Sequence, residues 1–209
     1  MRRKLAVYAL LVVAGLSACI PAQANYVFNP TPGDLYDLPH ESFFAWGIDF
    51  VLPDDEKIIG ATLTFTNIWD WTVEKNDRLY IHLLDNPKMG VVSYFDNQGG
   101  GDNFAGKGVF VGIWSDSIGG RPRNFDLVYD FAALGILNNL SAYIATAPRR
   151  NYATFGFGID PDCHFFNDGI TFSITTQPNA AVPEPSTYVL LGSGLLGILY
   201  RRRQLAGTK

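Results

Sequence analysis

The chain is 209 residues long, 47% hydrophobic and 17% charged, with a formal net charge of −4. Both ends are basic, and residues 25–181 between them hold 9 basic and 19 acidic residues, a net charge of −10. Such a surface repels nucleic acid, and anionic polymers too unless cations intervene, so nucleic acid is not an expected partner.

The first segment is a targeting segment. Met1-Arg2-Arg3-Lys4 is basic, and Leu5 to Leu16 is an apolar stretch of signal-peptide length. Ala22-Gln23-Ala24 offers a small-x-small cleavage site, so residues 1–24 read as a secretory signal peptide. Leu16-Ser17-Ala18-Cys19 also resembles a lipobox, and acylation of Cys19 is the alternative end of the signal. Cleavage after Ala24 leaves Cys163 as the sole cysteine, so no internal disulfide is expected.

Residues 25–178 are long enough for one domain with its own core. Residues 25–39 are a Pro/Gly/Asp-rich lead-in. Seven stretches then alternate apolar and polar residues with a period of two. They lie at Phe43–Leu52, Ile59–Trp69, Arg78–Leu83, Val109–Ile113, Phe125–Tyr129, Thr154–Ile159 and Ile170–Ile174. That period gives each strand one wet face and one buried face, the mark of antiparallel sheets. One helix is expected over Ala132–Ala145, with Leu134, Leu137 and Ile144 near one face, stopped by Pro148. The expected fold is all-β: an antiparallel two-sheet β-sandwich, jelly-roll-like, with one short helix. Gly99-Gly100-Gly101 inside Asp96–Gly108 reads as a mobile loop.

Three groups of residues are candidates for chemistry. Asp160, Asp162, Asn167 and Asp168 fall within nine residues between the last two strands, followed by Gly169. Calcium takes six to eight such oxygens, so calcium is the expected ion if the turn binds one; a solvated acidic turn is the other reading. Asp96, Asp102 and Asn103 form a second acidic loop with a weaker claim. Cys163 and His164 are adjacent, and neighbours on an extended chain point to opposite faces, so they do not read as a nucleophile–base pair or a shared zinc site. Cys163 reads as a packed apolar residue. Trp69-Asp70-Trp71 sits where an alternation ends and places two indoles on one side, suited to stacking on a sugar ring or to edge packing. Trp46 lies on a buried face. No Gly-rich phosphate loop, nucleophile elbow or zinc-binding helix occurs, and the domain is expected not to be an enzyme.

The C-terminal end has three parts in fixed order. Residues 179–187 are a linker carrying Pro183-Glu184-Pro185, residues 188–200 contain no charge, and residues 201–209 begin with Arg201-Arg202-Arg203. Thirteen helical residues span roughly 20 Å against a hydrocarbon core of about 30 Å, a short transmembrane helix. Three arginines hold its far end in the cytoplasm, so the domain lies outside. The prolines keep the motif extended and out of the helix.

Pro-Glu-Pro, a short apolar helix and a basic cluster closely resemble the PEP-CTERM sorting signal of exopolysaccharide-producing Gram-negative bacteria. The resemblance covers only this end of the chain. It implies that exosortase, a membrane transpeptidase, recognises Pro183, Glu184 and Pro185 and removes the helix and tail. It further implies an exported protein of the cell surface or extracellular matrix, held by the membrane at least until processing. A structural or adhesive role in an exopolysaccharide layer is then the expected function. The alternative is a carbohydrate-binding module acting alone, calcium-dependent if the acidic turn holds the ion.

Overall fold

A computed structural model describes residues 22–31, 33–73, 77–97, 100–146, 150–179, 190–195, 197–198 and 201. Most of the signal-peptide segment, including Cys19, lies outside these residues, as do Pro183, Glu184, Pro185, Arg202 and Arg203. Gln23–Gln177 forms one compact unit, separate from the C-terminal segment.

Two antiparallel sheets make the body. The first contains β1 (Ala24–Phe28), β12 (Gly169–Pro178), β4 (Glu56–Thr66) and β9 (Leu127–Asp130), in that order. The second contains β7 (Gly90–Phe95), β3 (Ser42–Ile48), β10 (Phe155–Pro161), β6 (Leu79–Asp85) and β8 (Val109–Trp114), again in order. The pairs are nested: β1 lies beside β12, β3 beside β10, β4 beside β9 and β6 beside β8. That nesting across two sheets is the jelly-roll connection, with β7 added at one edge. Each of the seven alternating stretches contains a strand, although residues 49–52 and Phe125 lie outside β3 and β9, and Ile59–Trp69 is divided between β4 and β5 (Trp69–Asp70). The chain enters and leaves the sandwich together, since Ala24 pairs with Thr176.

Alternation decides which side chains meet between the sheets. Phe157 of β10 and Phe172 of β12 lie 4.8 Å apart, ring centre to ring centre, at 64°. Phe155 and Phe131 pack on the same Phe172 at 5.6 and 5.4 Å. Trp46 is 2% exposed and tilts against Phe157. Edge-to-face contacts of this kind fill the sandwich with rings and fix their mutual orientation.

The outer face of β10 departs from the sequence expectation. Gly156 and Gly158 occupy the face expected to be wet, yet the whole strand is buried. The segment between β7 and β8 folds back over Gly158 and lays Phe104, 4% exposed, on the sheet with Ala45 and Leu84, while Pro87 of the β6–β7 turn stands over Gly156. The described part of the β7–β8 segment is held by hydrogen bonds: Gly101 N–H donates to Asp162 at 2.8 Å and Asn103 N–H to Asp160 at 2.5 Å. A stretch that reads as a mobile loop is therefore a third layer, anchored at several points.

The helix is shorter than expected. α1 spans Leu137–Ile144 and buries Leu140 and Ile144. Residues 131–135 form turns instead, because Asp130 accepts the N–H groups of Ala132 and Ala133 and Gly135 has φ of 72°. Leu134 consequently faces solvent. The lead-in contains β1, and three two-residue strands, β2 (Asp37–Leu38), β5 (Trp69–Asp70) and β11 (Phe165–Phe166), form a small sheet at one tip.

Candidate functional site

The four residues of the acidic turn point in two directions. Asp160, fully buried, and Asp162 turn to the 100–104 segment and accept its N–H groups. Burial raises Asp160 to about 6, and Asp162 is raised by burial too. Asn167 donates to Leu35 O at 2.7 Å and accepts from Gly169 N–H at 2.9 Å, while Asp168 accepts from the Asn67 side chain at 2.8 Å. The first pair instead meets the second acidic loop, where Asp102 accepts from Phe104 N–H and contacts His82 Nε2 at 2.8 Å. These carboxylates act as staples between loops. Chain separation hid that partnership: Asn103 and Asp160 are 57 positions apart.

The aromatic candidates lie together at the tip. β11 pairs Phe166 with Asp37 on one side and Trp69 on the other, so these three share the outward face. Trp69 stacks on Phe166 at 4.7 Å, and Phe166 on His164 at 4.6 Å. Trp71, whose N–H donates to His164 O at 3.0 Å, continues the row at 6.3 Å from the His164 ring. His164 also contacts the Asp37 carboxylate. Stacking consumes the inner ring faces. Trp71 is 49% exposed at the end of the row, and its ring is the one among these with a broad free surface. Phe166, His164 and Asp37 were not among the expected site residues; a two-residue strand has no period to read.

Beneath the row, Cys163 is fully buried and points away from His164. Its thiol donates to Asp70 Oδ1 at 3.1 Å, so its surroundings are polar as well as apolar. Asp116 nearby accepts from Ile118 N–H and contacts Arg123; its carboxyl lies below the ordinary range although burial opposes this, because these donors outweigh it.

Of the C-terminal end, residues 190–195 and Arg201 are helical and exposed. Among the described residues, no helix is long and apolar enough to cross a membrane. Among curated proteins, none matches the chain significantly. One family model matches, that of the PEP-CTERM protein-sorting motif, over residues 181–204. These residues take in the Pro-Glu-Pro motif, the uncharged stretch and Arg201-Arg202-Arg203, so the chain carries a PEP-CTERM sorting signal and is marked as an exported exosortase substrate.

Proposed function

We propose that this protein is a non-catalytic component of an exopolysaccharide layer, structural or adhesive, which contacts glycan through the tip around Trp71. The observation that carries the reading is the sorting motif at residues 181–204, which directs the chain to the surface or beyond. In this proposal residues 1–24 are cut as a signal peptide. Residues 188–200 hold the precursor in the membrane, with Arg201, Arg202 and Arg203 inside, until exosortase acts. The tip supports the glycan contact, since a half-exposed indole beside an aspartate–histidine pair offers both a ring face and polar hydrogen-bonding groups. The acids support a non-catalytic role, because Asp160, Asp162 and Asp102 are committed to loop N–H groups. Binding of the mature chain to the exopolysaccharide of its own producer tests the proposal. Affinity that falls about tenfold in Trp71→Ala is expected. Equal retention of wild type and variant, or no retention of either, would remove the tip from the account.

A further inference from the structure

The tip holds a feature unrelated to its outer rings. Across the three-stranded sheet, Leu38, Phe165 and Asp70 stand in register, and all three are fully buried. Two are apolar, as an inward row requires; the third is a carboxylate. Asp70 Oδ1 accepts from Thr72 N–H at 2.9 Å and from the Cys163 thiol at 3.1 Å. Its Oδ2 is buried with no hydrogen-bond partner. Asp77, 6% exposed, adds a second carboxylate close enough to act on the first. One ligand-capable atom from each of Asp70, Asp77 and Cys163 lies within 4.8 Å of the other two.

A carboxylate oxygen buried without a donor is costly, and a second carboxylate beside it adds repulsion. A cation between them removes both penalties. We propose that Asp70, Asp77 and Cys163 bind a divalent metal ion of the zinc type.

The donor set selects the ion. Calcium and magnesium take oxygens, and copper(I) favours sulfur, whereas zinc accepts carboxylate and thiolate together. Zinc bonds of about 2.0 Å to oxygen and 2.3 Å to sulfur place tetrahedral ligand atoms roughly 3.3–3.5 Å apart. Cys163 Sγ and Asp70 Oδ1, 3.1 Å apart, stand close to that spacing, and Asp77 offers an oxygen within 4.8 Å of a ligand atom on each. Thr72 O, 3.8 Å from Cys163 Sγ, is a main-chain oxygen on hand for a fourth position. The incoming ion takes the place of the thiol proton and of any proton on the carboxyls, and these pass to solvent. It would tie Asp70 of β5 and Asp77, seven positions later and just before β6, to the turn between β10 and β11, 93 positions from Asp70.

Cobalt(II) added to chelator-treated mature chain tests this. The expected result is one equivalent bound, with a near-ultraviolet thiolate-to-cobalt charge-transfer band that zinc bleaches. Cys163→Ser should lose that band, and Asp70→Asn should weaken zinc binding by about 100-fold or more. Folded wild-type chain that binds no cobalt, or binds it without the thiolate band, would overturn the proposal. Both of those outcomes are read on the wild type, so a variant that fails to fold does not blunt the result.

Discussion

Gly158 lies directly beneath the ring of Phe104: a methyl group added at that glycine would stand 2.6 Å from the ring's Cγ. Gly158→Ala must therefore lift the third layer from the sheet or push the strand inward. A loss of about 1–3 kcal/mol is expected from such overpacking, read as a lower melting temperature. Phe104→Ala in the same chain should make the glycine change nearly neutral, a coupling that a double-mutant cycle measures. Additive losses would mean that the two residues do not press on each other.

Asp160 gives the fold a pH dependence. Burial raises it from 3.8 to about 6, so the folded state favours its proton. Its contribution to stability is complete below about pH 4 and is lost as pH rises through about 6. The melting temperature should accordingly increase from pH 7.5 to pH 5. Asp160→Asn keeps an acceptor for Asn103 N–H and removes the charge. At pH 7.5 it should melt about 2–4 °C higher, for ~1 kcal/mol, and the difference should shrink by pH 5. A variant that melts lower at pH 7.5 would show that the charge itself stabilises the loop.

The sandwich was legible because its strands are half-buried. Leu79, Ile81 and Leu83 on one face, against Arg78, Tyr80 and His82, reveal their strand without any partner. Even so, the wet-face reading fails at His82, which Phe104 and Phe110 cover. The same limit applies to Gly156 and Gly158: period-2 alternation reports that two faces differ, and a folded-back loop can cover either. The site was less legible than the fold. Trp69 and Trp71 were visible by residue type, but their neighbours Phe166 and His164 arrive from β11 and its flank. In the sequence Asp70 is only the carboxylate between two indoles; pairing with Phe165 turns it inward. A two-residue strand is defined by its partners, and a single chain does not name them.

The tip makes a prediction independent of any metal. Trp71 presents the free ring, whereas Trp69 is stacked on Phe166. Trp71→Ala should thus cost glycan affinity with little change in melting temperature. Trp69→Ala should lower the melting temperature, because it strips one face of the stack. The reverse pattern, with stability lost at Trp71 and affinity at Trp69, would reassign the two indoles.

Sorting depends on the motif within residues 181–204. Replacing Pro183, Glu184 and Pro185 together with alanine should leave an uncut, membrane-retained precursor in cells that carry exosortase. Pulse-chase labelling with membrane fractionation reads this directly. Release of the triple variant at the wild-type rate would mean that processing does not use the motif.

In the proposed role the sandwich is delivered outside the cell and freed from its C-terminal segment. The intact mass of the mature protein, taken from the surface or medium of an exosortase-bearing cell, tests it most directly. The expected chain starts at Asn25 and ends before Tyr188, without the uncharged stretch or the arginines. A mature mass that still includes residues 188–209, or peptides from it containing Leu195 and Leu196, would contradict the account.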